Sequence, residues 1–275
     1  MDTPHVPAEI VDHYEHDIDE SERISSGLGS LELVRTREII ERYLPPGRLR
    51  VLDVGGGAGV HARWLAESGH AVELVDPMPR HVERARSLVA EGLGITAELG
   101  DARALHHAPA TFDAVLLLGP LYHLTDRRDR VTAWREALRV VKPGGLVYAA
   151  AISRFASLFD GLAHGRLGDP RFRAIVERDL RDGQHRNPDR VPEWFTTAYF
   201  HHPDDLEAEA IEAGAEVVEL LGVEGLAVFL PQLAEDWPAA EPRTSILDAA
   251  RAVESEPTLR GLSAHMVLVT RRPGA

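Results

Sequence analysis

From residue 49 onward, short apolar runs alternate with longer stretches of helical periodicity. The runs are Leu49–Val54, Ala71–Val75, Ile95–Leu99, Phe112–Leu118 and Leu146–Ile152; the helical stretches are Val60–Ser68, Pro79–Glu91 and Asp129–Val141. Near-continuous apolar strands separated by amphipathic helices predict βαβ units and a parallel sheet covered on both faces. Right-handed crossovers make this a doubly wound α/β domain. Ahead of it, Leu31, Val34, Ile40 and Leu44 share one face of a helix predicted over Leu31–Leu44, which Pro45-Pro46-Gly47 ends. After Ile152 the rhythm breaks: residues 155–202 are rich in Arg, Asp, Gly and aromatics and carry no strand signal. A helix over Asp204–Ala213, a strand over Glu216–Val223, a helix over Thr244–Ser255 and a strand over His265–Thr270 complete a mostly parallel, seven-stranded sheet.

This pattern divides the chain into an N-terminal helical cap (1–46), an α/β core (47–154), an insert (155–202) and the rest of the core (203–275). Connections after the carboxyl ends of strands lie over the ligand crevice of an open α/β sheet, so the insert is expected to act as a lid. Composition narrows the function. With 44% hydrophobic and 27% charged residues the chain can bury a core. Its 44 acidic against 30 basic side chains, a net charge of −14, argue against nucleic acid as a partner. The absence of cysteine removes disulfides, thiolate zinc sites and cysteine nucleophiles. No apolar run is long enough to span a bilayer, and Met1-Asp2-Thr3-Pro4-His5 lacks the regions of a secretion signal, so a cytoplasmic protein without a membrane partner is expected. Oligomeric state is not readable. There is no Gly-x-Ser-x-Gly elbow and no Gly-Lys-Ser/Thr loop to anchor a hydrolase or nucleoside triphosphatase.

The densest chemical signal is Val51-Leu52-Asp53-Val54-Gly55-Gly56-Gly57-Ala58-Gly59, at the junction of the first strand and the helix after it. Glycines there let the backbone turn and approach a ligand, and the helix start offers free N–H groups. Gly57-x-Gly59-x-x-Ala62 also satisfies a dinucleotide fingerprint, which keeps a nicotinamide-dependent oxidoreductase in view. Asp53 weighs against it, because a carboxylate at the crevice repels a pyrophosphate and suits an ammonium or sulfonium group. Asp76, ending the second strand, can take two ribose hydroxyls, and Asp101, after the third, suits an exocyclic amine.

Together with Phe112–Leu118 and the turn Leu138-Arg139-Val140-Val141-Lys142-Pro143-Gly144-Gly145, these motifs stand in the order of the class I S-adenosylmethionine-dependent methyltransferases, which the sequence resembles over residues 49–152 and the closing strands. The resemblance implies a Rossmann-like methyltransferase fold and S-adenosylmethionine as cofactor. It further implies that Gly55, Gly57 and Gly59 pass under the methionine part, with Asp53 near its amino group. Asp76 then holds the ribose diol, Asp101 and the Ala102 N–H the adenine, and Leu118 and Gly119 the amino-acid end. Gly56 departs from the pattern by making three glycines in succession. An N-terminal aromatic or basic residue often covers the cofactor in such enzymes, which points to Tyr14 and Arg23.

Leu118-Gly119-Pro120-Leu121-Tyr122-His123-Leu124 occupies the position that faces the transferable methyl in the family. It lacks the Asn/Asp-Pro-Pro-aromatic motif of nucleobase and glutamine methylases and resembles small-molecule members. His123 is the candidate base and Tyr122 the candidate acceptor-orienting group. In the insert, Gly183-Gln184-His185-Arg186-Asn187-Pro188 and Phe195-Thr196-Thr197-Ala198-Tyr199-Phe200-His201-His202 interleave aromatic and polar groups. With Arg154 at the same rim, His185, Arg186, Tyr199 and His201 are candidate contacts to a small polar acceptor. His13, His16, Asp17 and Asp19 read as a solvated helix face, and no metal site is expected. A methyltransferase acting on O, N or C of a small molecule is the leading reading; an NAD-dependent oxidoreductase and a non-catalytic S-adenosylmethionine-binding protein are its rivals.

Overall fold

A computed structural model describes residues 6–12, 27–90, 92–230 and 233–274. Tyr14, Arg23, His13, His16, Asp17 and Asp19 lie outside the described residues. Seven strands build the main sheet: β1 (Arg50–Val54), β2 (Ala71–Asp76), β3 (Ile95–Leu99), β4 (Phe112–Leu117), β5 (Val141–Ile152), β8 (Glu216–Gly222) and β9 (His265–Arg271). Their order is β3-β2-β1-β4-β5-β9-β8, with β1 to β5 mutually parallel and β9 antiparallel to both of its neighbours. This is the expected mostly parallel, doubly wound sheet.

Both faces are covered, which is why the central strands are apolar at almost every position. On one face Val51, Leu74, Leu116 and Tyr148 pack against α2 (Gly27–Tyr43), α3 (Val60–Glu67) and α4 (Pro79–Ala90). On the other, Leu52, Val115, Leu117 and Val147 pack with Trp134 of α6 (Arg127–Val140) and Leu206 of α9 (Pro203–Ala213). α2 starts four residues before the sequence-based boundary; its Ile39 and Ile40 sit in the sheet core, so this helix belongs to the doubly wound layer. α6 follows the single turn α5 (Pro120–His123) and is capped by Asp126, whose side chain accepts a hydrogen bond from the Arg128 N–H at 2.7 Å, a regular N-cap. β5 also starts earlier than predicted, at Val141, with Gly144 turned into the left-handed region (φ 78°).

Residues 155–202 fold as α7 (Ala156–Ala163), α8 (Pro170–Asp182) and a two-stranded ladder of β6 (Gln184–His185) and β7 (Ala198–Tyr199). The expectation of no strand here is corrected: each ladder strand has two residues, too short for alternation to show. The excursion closes on itself, because His201 donates its N–H to Ile152 O at 2.7 Å and accepts at its own carbonyl from Arg154 at 2.8 Å. At the N-terminus, α1 (Ala8–Asp12) rests on this segment: Thr196 Oγ1 donates to Glu9 O at 3.0 Å and Arg190 pairs with Asp12 at 2.7 Å. Among the described residues, no helix is long and apolar enough to cross a membrane.

Candidate functional site

The carboxyl ends of β1, β2, β3 and β4 open into one cavity. Its floor is the loop from Asp53 to Ala58. Gly55, Gly57 and Gly59 all hold φ in the left-handed region, at 68°, 57° and 89°, which glycine adopts without a side-chain penalty. The loop is held from β2: Gly55 donates to Val75 O at 2.7 Å and Gly57 to Asp76 Oδ2 at 2.9 Å. Gly56 has its own requirement, because a Cβ there would meet Asp53 Oδ2 at 2.6 Å and Leu74 Cδ1 at 2.7 Å.

Asp53 is 1% exposed. Its Oδ2 is buried, has no hydrogen-bond partner and belongs to a side chain that lines the cavity. Burial, then the neighbouring Asp76 charge, push its pKa up to about 7, against a hydrogen bond from the Ala62 backbone. Asp76 Oδ1 accepts from the Met78 N–H at 2.9 Å and lies 3.0 Å from His81 Nδ1. Asp101 is chelated by Arg103, which also pairs with Asp129 at 2.7 Å. Burial pushes the Asp101 carboxyl up, and the Arg103 hydrogen bonds outweigh it and hold the group below the usual range. Ala102, Leu118, Gly119, Tyr122 and His123 line the same cavity, so the described cofactor and catalytic candidates converge on one space, except Gly59, which does not line it and packs against Leu88 and Ala85 of α4.

The substrate candidates do not line it. They meet one another instead. His185, 2% exposed, faces the Asp179 carboxylate through Nδ1 at 2.8 Å and Trp194 O through Nε2 at 2.8 Å. His201, fully buried, faces Glu209 at 3.3 Å, and Glu209 is held by Arg130 at 2.7 Å. The Arg130 guanidinium lies 3.6 Å from the centre of the Tyr199 ring. Arg154 donates to Phe200 O, the Tyr199 hydroxyl and Asp205, and Arg186 donates to the carbonyls of His185 and Ala198. The reason is energetic: the insert has little apolar core, and these polar groups satisfy its buried backbone and charges.

Sequence reasoning missed the groups that take their place. Val6, Pro7 and Ile10 line the cavity from the N-terminal side, and Glu32, Leu33 and Thr36 of α2 line its wall. Behind Glu32, His265 Nδ1 lies 2.5 Å from the fully buried Glu224, which also accepts from Ser263 Oγ at 2.7 Å. His61, at the start of α3, faces the cavity with a buried, unpartnered Nδ1, and burial pushes its pKa down to about 4. From the insert, the Phe195 ring stacks on His123 at 6.0 Å and lies 6.4 Å from Tyr122. Phe195 holds φ at 62°, a conformation rare for an aromatic residue. No periodic pattern announces such contacts, because they come from turns and from strands distant in sequence.

A family model described as a methyltransferase domain matches residues 51–145. The ubiquinone biosynthesis O-methyltransferase of Methylocella silvestris is 40% identical over 122 residues, 43% of this chain and 46% of that protein. The protein of the same name from Brucella anthropi is 32% identical over 190 residues, 69% of this chain and 66% of that protein. The match thus spans between about half and two thirds of the length of these relatives. In fold, the chain is similar to the N-methyltransferase NodS of Bradyrhizobium japonicum, solved with S-adenosyl-L-homocysteine. The TM-score is 0.58 at 15% identity, covering 96% of this chain and 98% of that one. Fold, motif order and relatives agree: the chain belongs to the class I S-adenosylmethionine-dependent methyltransferases.

Proposed function

We propose that this protein transfers a methyl group from S-adenosyl-L-methionine to an oxygen, nitrogen or carbon atom of a small-molecule acceptor. The observation that carries the reading is the Asp53–Asp76 pair at the glycine loop, with an orphaned Asp53 oxygen at the cavity. Two carboxylates there repel a dinucleotide pyrophosphate and attract an ammonium or sulfonium group. The residues present fit the cofactor. Asp53 and the unpartnered His61 Nδ1 offer polar contacts to the methionine part, Asp76 to the ribose, and Asp101 with the Ala102 N–H to the adenine. Gly55 and Gly119 let the turns after β1 and β4 close on each other beside the cavity, since a Cβ at 55 would meet Pro120 Cγ at 2.7 Å and one at 119 would meet Gly55 O at 2.9 Å.

Bound, the cofactor supplies a methyl group on a positively charged sulfur, ready for in-line displacement. The protein aligns the acceptor, excludes water and receives a proton. Tyr122 orients the acceptor, and His123 takes the proton that an oxygen or nitrogen acceptor loses as it gains the methyl. Of the N-terminal segment, residues 6–12 cap the cofactor, and residues 155–202 form the acceptor-side lid, with Phe195 as their contact to His123. The polar wall of Glu32 suits an acceptor with hydroxyl or amino groups. The low basic content favours a small acceptor over nucleic acid, and the protein acts in the cytoplasm.

The test is calorimetric titration of S-adenosyl-L-homocysteine and NADH into the wild type and Asp76→Asn, followed by turnover with a panel of small phenolic and amine acceptors. Binding of the first ligand alone, weakened in the variant, supports the reading. Binding of NADH instead overturns it, and cofactor binding without methylation of any acceptor favours a non-catalytic binding protein.

A further inference from the structure

Away from the cavity, the connection between β3 and β4 folds back over the outer strands and brings His106 and His107 to Glu98 of β3 and Glu73 of β2. One donor atom from each of Glu98, His106 and His107 lies within 4.8 Å of the others. His107 Nε2 stands 3.3 Å from Glu98 Oε1 and 3.4 Å from Glu73 Oε2, and His106 Nε2 stands 2.8 Å from Glu98 Oε1. We propose that Glu98, His106 and His107, with Glu73 as fourth donor, bind a divalent transition-metal ion of the zinc type.

Three observations carry the assignment. The His107 side chain is 6% exposed, yet neither of its ring nitrogens is in a hydrogen bond. A simple histidine–carboxylate pair would align an N–H with one oxygen. Here the nitrogen faces two carboxylates at equal range without bonding either. Donors about 2.0–2.1 Å from a tetrahedral zinc stand about 3.3–3.4 Å apart, which is the separation found at His107. Second, the ring is held in place: Phe112 packs edge-on at 5.1 Å and the His106 ring lies at 4.2 Å. Third, the Glu73 carboxylate is already divided. Arg50 takes Oε1 at 2.6 Å, which turns Oε2 toward His107. Orientation of a ligating group by a partner on its other atom is how such sites are built. The exposed His106 must back away from Glu98 by about half an ångström to reach the same edge length, and Glu73, which stands near His107 but outside the 4.8 Å group of the other three, must draw in to close the site as fourth donor. Two imidazoles and two carboxylates suit zinc or its neighbours in the first transition row, in preference to calcium or magnesium.

Such an ion ties the connection carrying Asp101 to the outer strands without touching the methyl-transfer chemistry. The full chain, free of any affinity tag and dialysed against a chelator, is titrated with cobalt(II), read by its visible absorption, and with zinc, read by calorimetry. The expected result is a one-equivalent, micromolar site with a tetrahedral cobalt spectrum and a raised Tm. Glu98→Gln and His106→Gln, both surface changes that leave the fold intact, weaken it at least tenfold and abolish the Tm gain, while S-adenosyl-L-homocysteine binding stays unchanged. Absence of binding at millimolar metal, or equal binding in the Glu98→Gln/His106→Gln double variant, overturns the assignment. Because the readout is metal affinity, either outcome is independent of the methyltransferase reading.

Discussion

Gly56 surrenders its side chain to Asp53: an alanine methyl at position 56 would sit 2.6 Å from the Asp53 carboxylate oxygen. The extra glycine that departs from the family motif is thus demanded by the inward-turned acid beside it. Gly56→Ala is expected to weaken S-adenosyl-L-homocysteine binding at least tenfold, with an overpacking cost of about 1–3 kcal/mol in stability. In the Asp53→Ala background the same change should cost less stability, with only the Leu74 Cδ1 contact at 2.7 Å left to relieve, and a double-mutant cycle by calorimetry and thermal unfolding measures the difference.

The Asp53 carboxyl, pushed up to about 7 by burial and by Asp76, is protonated in the ligand-free protein below that pH. A cationic ligand favours its ionised form, so binding should release a proton near pH 6 and tighten as pH rises toward 8. Stability of the empty protein runs the other way. The group's contribution is complete below the ordinary carboxyl range and is lost as pH rises through about 7. Asp53→Asn should flatten both profiles, as seen by calorimetry in buffers of different ionisation heat and by thermal unfolding at each pH.

Phe195 of the insert packs on His123, which lines the cavity. His123→Gln should lower kcat about a hundredfold for an oxygen acceptor while leaving cofactor affinity within twofold. Phe195→Gly relieves a left-handed backbone, returning roughly 1 kcal/mol of strain, yet should lower kcat/KM for the acceptor several-fold. An unchanged kcat/KM would show that the ring plays no part in acceptor alignment.

The helix at Ala8–Asp12 is clasped by Thr196 and Arg190. An exposed pair such as Arg190–Asp12 contributes only about 0–1 kcal/mol to stability, so Thr196→Val with Arg190→Ala should leave Tm nearly unchanged. Dissociation of S-adenosyl-L-homocysteine should quicken several-fold, since Val6, Pro7 and Ile10 then cover the cavity less firmly. Stopped-flow displacement reads this rate.

Beneath the insert, the Arg130–Glu209 pair between α6 and α9 is 1% exposed on both sides. Removing one partner of a buried pair leaves an uncompensated charge and costs about 3–5 kcal/mol. Glu209→Gln should therefore lower Tm markedly without a change in cofactor affinity, measured on the fraction that remains folded.

The sheet was legible because its signals are local. Apolar runs such as Phe112–Leu117 and punctuation such as Gly144-Gly145 depend on neighbours in sequence, and strand ends carry the cavity-lining acids with them. The acceptor side was not legible for the opposite reason. His185, Arg186 and Tyr199 have the residue types of a polar pocket, but the same types serve to satisfy a buried network, and only the distances to Asp179, Glu209 and backbone carbonyls separate the two. Glu32, His265 and Glu224 come together from one helix, one strand and the turn after β8, a juxtaposition that no spacing encodes. The hairpin of Gln184–His185 with Ala198–Tyr199 was too short to leave a period.

The placement of β9 between β5 and β8 has a consequence for assembly of the chain. Ile152 must wait for His265, more than a hundred residues later, before its strand acquires a second neighbour. Until those residues leave the ribosome, β5 presents an open, apolar edge, and β8, made earlier, has no strand to join. Pairings this distant are slow to form, and open edges recruit other chains. Nascent copies are therefore most exposed to mutual sticking just before synthesis of residues 265–271, when the parallel half of the sheet is complete and its antiparallel seam is not.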